Sequence, residues 1–172
     1  MPSQYYSADH IAGAMGGWEP VRKNNFLLSV SPPGGGERIL RLAVEVCSMP
    51  SSSSEIIAVN AGNEVFKVAS TQNVGEITLT LKDFVDQKVA KSIAGWRKRV
   101  FNPSSGKVGL PPDYKVTGTM AMLSPGDGSR AQNWRVMNMW PSRVAYGEGN
   151  MSDNSLNFIQ VVFTADRIEN IG

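Results

Sequence analysis

The chain has 172 residues and a mass of 18.6 kDa, the usual size of one compact domain, with 41% hydrophobic and 19% charged residues. A single cysteine, Cys47, excludes an internal disulfide framework, and with the lone histidine, His10, it cannot supply a zinc ligand set. The formal charge of +2, from 17 basic and 15 acidic side chains, argues against a domain that holds nucleic acid through a general basic footprint.

No apolar run reaches the ~18 residues of a membrane span, and residues 1–6 lack the basic and apolar regions of a signal peptide. A cytoplasm-like compartment is therefore expected for the folded chain. The charge itself is uneven. Residues 1–81 carry 5 basic and 7 acidic side chains, residues 82–101 carry 6 and 2, and residues 102–172 carry 6 and 6. All the positive excess thus falls in one short stretch.

In chain order, residues 1–24 read as an extended or mobile segment. Phe26, Leu28 and Val30 alternate with Leu27 and Ser29, which predicts a strand. Beyond a turn containing Gly34, Gly35 and Gly36, expected to be a flexible loop, Leu40, Leu42, Val44 and Val46 alternate with Arg41, Ala43, Glu45 and Cys47. That predicts a second strand, paired with the first like a hairpin. Composition marks Met49, Pro50, Ser51, Ser52, Ser53 and Ser54 as a loop before the apolar run Ile56 to Val59. Asn60 to Asn63 can turn the chain into Val65, Phe66 and Val68. Ile77, Leu79 and Leu81 then alternate with Thr78 and Thr80 as a half-buried strand.

The period changes at Asp83. Val85, Val89, Ile93, Trp96 and Val100 recur at helical spacing, predicting one helix over 83–101 with Asp83 as its cap and Arg97, Lys98 and Arg99 at its negative end. This is also the stretch that holds the positive excess. Further on, Tyr114, Val116, Gly118, Met120 and Met122 alternate with Lys115, Thr117, Thr119 and Ala121 as a long strand. A second strand runs from Trp134 to Trp140, where Pro141 is expected to end ordinary ladder bonding, and Ser142 to Ala145 form a further short strand. The nearly continuous apolar run Leu156 to Phe163 predicts a strand buried on both faces. The fold class is mainly β, with eight or nine strands around one helix in a single domain spanning 1–172.

Catalytic chemistry is poorly represented. Cys47 reads as a small strand residue, and Asp127, Glu148 and Asp153 lie in turn-like segments that need polar residues anyway. The glycine runs lack the strand-turn-helix setting and the following Lys-Ser/Thr of a phosphate cradle. Trp96 at a helical core position, and Trp134 and Trp140 in a strand, read as packing before they read as a platform for bases. No catalytic residue, metal or cofactor is expected. From the residues alone the expectation is a self-associating β domain, because open sheet edges must be managed and closure with further copies is one way to do it.

One resemblance goes further. The helix ending in Ala94-Gly95-Trp96, the strand Tyr114-Lys115-Val116-Thr117-Gly118-Thr119, the stretch Asn133 to Val144 with its Trp-x-x-x-x-x-Trp-Pro motif from Trp134 through Trp140 to Pro141, and the closing Phe163-Thr164-Ala165-Asp166 resemble the tail tube proteins of contractile-tailed bacteriophages. The likeness covers about half the chain, and the motif residues Trp96, Tyr114, Gly118, Trp134, Trp140, Pro141 and Phe163 carry it.

The resemblance implies a β-sandwich or barrel-like tube protomer with one flanking α-helix, its sheets joining between protomers into a continuous barrel. It implies hexameric rings stacked into a tube within a contractile sheath, a conduit for genome delivery. Implied partners are further copies of the chain, the sheath protein, and baseplate and terminator proteins at the ends. DNA would pass through the lumen without specific binding, and the implied location is the virion after assembly in the host cytoplasm. Two interaction sites follow as expectations: Lys88, Lys91 and Lys98 facing the sheath, with a solvated helix face as the alternative, and Ser51, Ser52, Ser53 and Ser54, with residues 5–18, making ring-to-ring contacts. Rival readings are a type VI secretion or pyocin-like tube, a single-stranded nucleic-acid-binding barrel using Trp134, Trp140 and the basic helix, and a small hydrolase using Cys47 or the loop carboxylates.

Overall fold

Eleven strands and three helices make up residues 21–172, the part of the chain that the computed structural model describes. In order they are β1 (Phe26–Ser29), α1 (Glu37–Ala43), β2 (Val44–Cys47), β3 (Ser52–Ala61), β4 (Glu64–Val74), β5 (Ile77–Lys82) and α2 (Lys88–Val100). There follow β6 (Phe101–Asn102), β7 (Lys107–Val108), α3 (Pro111–Tyr114), β8 (Val116–Leu123), β9 (Arg130–Ala145), β10 (Phe158–Thr164) and β11 (Arg167–Asn170). The predicted mobile segment over 1–24 lies almost wholly outside the described residues. None of the described helices is long and apolar enough to cross a membrane.

The main sheet is antiparallel, in the order β1-β8-β9-β10-β5-β2, with β11 added to β9. Its spine is β9. The first part of β9 pairs β8, from Leu123↔Arg130 to Val116↔Met139, and also pairs β11; its last part pairs β10, from Thr164↔Trp140 to Gln160↔Ala145. Two irregularities separate these parts. The register with β8 shifts beside Asn138, whose φ of 55° is left-handed, and the register with β10 shifts between Val162 and Phe163, opposite Pro141 and Arg143. Such bulges bend a strand and strengthen its twist. The bent sheet accordingly wraps one core, to which Leu28, Met120 and Val136 contribute from one half and Leu79, Ile159 and Phe163 from the other.

Helix α2 closes this core with Val89, Ile93 and Trp96, all fully buried. It begins at Lys88, five residues later than the periodicity predicts. Asp83 accepts a hydrogen bond from the amide of Phe84, and Gln87 enters the helix with φ 55°, so Val85 falls in a turn and is wholly exposed. The predicted hairpin of the first two strands does not form. Residues 37–43 are helical, β1 pairs β8, and β2 pairs β5. The cause lies in the glycines, which are not a flexible loop: Gly34, Gly35 and Gly36 hold φ of 105°, 88° and 112°, conformations that L side chains avoid, and they feed the chain directly into α1. A Cβ on Gly36 would approach Ser92 Oγ of α2 to 2.7 Å, so the turn also needs glycine for close packing.

Three smaller differences concern the second half. Pro141 does not end the strand; β9 continues to Ala145, and Arg97 of α2 donates to the Pro141 and Ser142 carbonyls at 2.9 and 3.0 Å. Tyr114 ends the short helix α3 instead of opening β8. Strand β11 has no counterpart in the sequence reading.

Candidate assembly surfaces

The residues that carry the resemblance come together, although they are spread over 68 positions from Trp96 to Phe163. Trp96 stacks at a tilt on Phe163, with ring centroids 5.3 Å apart, and its indole N–H donates to the Tyr114 carbonyl at 2.6 Å. Tyr114 in turn meets Trp140 edge-on at 5.7 Å. Gly118 lies where β1 crosses closely, since a Cβ there would stand 2.6 Å from Val30 and 3.2 Å from the Met139 sulfur. Pro141 is buried and Trp134 packs at the core margin. These side chains fasten α2 and α3 to the sheet. They are packing residues, and the aromatic rings form no open face for bases.

The basic helix divides by role. Arg97 is occupied with the carbonyls of β9, whereas Lys88, Lys91, Lys98 and Arg99 are exposed. Lys88 pairs with Asp86 at 3.0 Å, which holds the Asp86 carboxyl below its ordinary pKa. Among the described residues Lys91, Lys98 and Arg99 have no carboxylate partner. By contrast, Lys115, the one charge between Tyr114 and Leu123, is held by both carboxylate oxygens of Asp166 at 3.0 and 2.7 Å.

The most conspicuous surface is one that composition concealed. Ser52, Ser53 and Ser54 are not loop but the root of β3, paired with Val74, Asn73 and Gln72 of β4. Ser51 accepts a backbone hydrogen bond from Gly75 at 2.8 Å, closing the hairpin's base. From this polar root the two strands run out to Gly62 and Asn63, with Gly62 at φ 66° in the first of two loop positions, as primed hairpin turns favour. Apart from Val74 every residue of β3 and β4 is exposed, and the pair bonds to no other strand of the described chain. Pairing of Ile57 with Val68 and Val59 with Phe66 puts four apolar side chains on one face near the tip, while Ile56, Ala58, Val65 and Ala69 lie on the other. Ile56 is 68% and Phe66 62% exposed. The alternation of Ile57 with Val59 and of Phe66 with Val68 about a glycine turn was the available sign of this arm. Residues 5–18, the other expected ring-to-ring segment, lie outside the described part.

Among the described residues the hydrolase reading finds no supporting geometry. Cys47 lines a shallow cleft of about 540 Å³ with Phe26, Val46 and Met122, and burial pushes its thiol up to about 12, away from the thiolate that a nucleophile requires. Asp127 accepts from the Ser129 amide at 3.0 Å, and Asp153 from Ser155, so both carboxylates order turns. No cluster of three metal-ligating side chains occurs among the described residues.

No protein-family model and no curated protein matches the sequence. Solved structures do match in fold. A chain of the sheath/tube terminator of an extracellular contractile injection system, PVC, in the extended state, superposes with a TM-score of 0.72 at 17% identity, covering 91% of this chain and 99% of that one. The tube-terminating cap of the anti-feeding prophage gives 0.71 at 15%, covering 90% and 92%. The PVC sheath-tube complex in the extended state gives 0.68 at 17%, covering 96% and 99%. The chain therefore has the fold of tube and terminator proteins of contractile injection systems, a mainly β architecture with antiparallel sheets.

Proposed function

We propose that this protein is a non-enzymatic structural subunit of a contractile tail, forming the inner tail tube by closure of copies into hexameric rings and stacking of the rings. The observation that carries this reading is the β3–β4 arm. An isolated two-stranded hairpin is marginally stable in water, and this one offers an apolar tip and two free strand edges to solvent. Burial of a valine, isoleucine or phenylalanine side chain contributes about 1.5–3 kcal/mol, so docking four of them on a neighbouring copy stabilises an assembly substantially. Ser51 to Ser54 then belong to the arm's root, and Ile57, Val59, Phe66 and Val68 make the ring-to-ring contact.

The sheath is the second partner, meeting Lys88, Lys91 and Lys98 on the outer helix, with baseplate and terminator proteins at the tube's ends. In this reading the tube is part of a bacteriophage virion, assembled in the host cytoplasm, and passes the genome without retaining it. Neutralisation of Lys115 by Asp166 supports that passage, since cations that release counterions from DNA would slow it. The likeness to chains of injection-system assemblies supports the rival of a secretion or pyocin-like tube, and the presence of two of those chains in structures of tube-terminating ends supports a subunit that ends a tube.

Electron microscopy of the purified protein tests the reading: stacked rings with an axial channel are expected. Single closed rings that cap but never polymerise point to the terminator, and a protein that stays monomeric at high concentration contradicts both. Particles with filled capsids in cells carrying the surrounding genes distinguish a phage from an injection device.

A further inference from the structure

Helix α2 contains a glycine that packing among the described residues does not require. Gly95 is exposed in the middle of the helix, and a Cβ added there meets nothing within 4 Å. Its φ is not among the positive ones, so no turn or left-handed geometry demands it. Glycine in a helix interior costs roughly 1 kcal/mol relative to alanine, and this cost has no return among the described residues. The other glycines that a Cβ would crowd, Gly36, Gly75 and Gly118 among them, each face a named neighbour.

The place of Gly95 on the helix supplies the reason. At roughly 100° per residue, Lys88, Lys91, Gly95, Lys98 and Arg99 fall in one stripe about 100° wide, centred about 140° round the helix from the buried Val89, Ile93 and Trp96, with Gly95 near its middle. Lys91 stands about 6 Å before Gly95 along the axis and Lys98 about 4.5 Å beyond it. Among the described residues Lys91, Lys98 and Arg99 form no salt bridge; Asp86 is bonded to Lys88, and Lys91 acts on it only at longer range.

We infer that Gly95 is the seat of a protein partner, an acidic segment whose backbone lies against the helix there while its carboxylates reach Lys91 on one side and Lys98 and Arg99 on the other. This rests on the tail-tube reading and deepens it, for the partner is then the sheath subunit. A lysine stripe alone needs only water. A notch at its centre admits close main-chain approach, and close approach shortens the ion pairs and excludes solvent from them. A duplex is a poorer fit, because three unpaired cations neutralise few phosphates.

The test separates bulk from charge. Gly95→Ala and Gly95→Gln leave every charge in place, and both are expected to raise the melting temperature of the purified protein. In cells carrying the complete tail gene cluster, Gly95→Gln is expected to yield bare tubes, as is Lys91→Glu combined with Lys98→Glu, while the unsubstituted protein yields sheathed ones. Normally sheathed Gly95→Gln tails overturn the inference while leaving the tail-tube reading intact, and so does a melting temperature that falls, since the fold then needs the glycine. Retention of duplex DNA by the immobilised protein, lost in the double lysine variant and kept in Gly95→Gln, assigns the stripe to nucleic acid and also overturns it. No tubes from the unsubstituted protein refutes the tail-tube reading, and the inference falls with it.

Discussion

The wrapped sheet with α2 and the β3–β4 arm are built from similar residues and meet opposite fates. Val59 and Phe66 are no less apolar than Val161 and Phe163, yet the first pair stands in water at the tip of a hairpin and the second is buried in the core, Phe163 against Trp96. In the body, strand alternation is answered by a helix that covers the sheet. In the arm it is answered by nothing in the described chain. A body that satisfies itself, with an arm that does not, suits the proposed role of a subunit that folds alone and then joins further copies.

Substitutions sharpen this contrast, and the largest effects on stability belong to the body. Trp96→Ala removes the side chain that stacks on Phe163 and bonds the Tyr114 carbonyl, and it should cost about 3–5 kcal/mol by urea denaturation, enough to leave much of the chain unfolded. Gly118→Ala forces a methyl against Val30 and Met139 and should cost about 1–3 kcal/mol in the same measurement.

A smaller effect is set by pH. The hydrogen bond from Lys115, opposed by slight desolvation and assisted by Asn138, holds the Asp166 carboxyl below its ordinary 3.8. Because the folded value is the lower one, the pair's contribution is complete above the ordinary value and disappears as pH falls through the folded value. Asp166 is 45% exposed, so the contribution is under about 1 kcal/mol. Thermal melts of Lys115→Met should lie slightly below those of the unsubstituted protein at neutral pH and converge with them in strong acid.

The smallest effect on folding should come from the arm. Val59→Ser with Phe66→Ser should move the stability of the monomer by no more than about 0.5 kcal/mol per site, while abolishing tubes in the electron microscope. An equal loss of monomer stability, with tubes unchanged, would break the division between the two regions.

The body was more legible in the sequence than the arm, for physical reasons. In β5 one face packs on the core, so period-two alternation survives and Ile77, Leu79 and Leu81 read correctly; in β8 Met120 and Met122 are buried as expected, but Ala121 between them is buried too. At Leu40 to Ala43 four residues fit either period, and the decision was made by the three glycines whose left-handed conformations deliver the chain into a helix. Asn138 inverts the faces of β9 through a bulge, which no alternation pattern anticipates. The serines of β3 were read as loop because they are small and polar, whereas their strand state comes from pairing with β4, a partner some twenty residues away. Of the residues proposed to meet partners, the lysine stripe is visible in the sequence as charge. Gly95 acquired meaning only when its empty surroundings were known, and Arg97 only when the carbonyls of Pro141 and Ser142 were found beside it.

Amide hydrogen exchange on the free subunit and on its assembled form measures the difference between the two regions directly. The account predicts that the amides on the free edges of β3 and β4 exchange rapidly in the monomer and become protected in the tube, while those of β5, β8 and β10 are protected in both. An arm that exchanges equally fast in both states would contradict the claim that it is the element through which copies join.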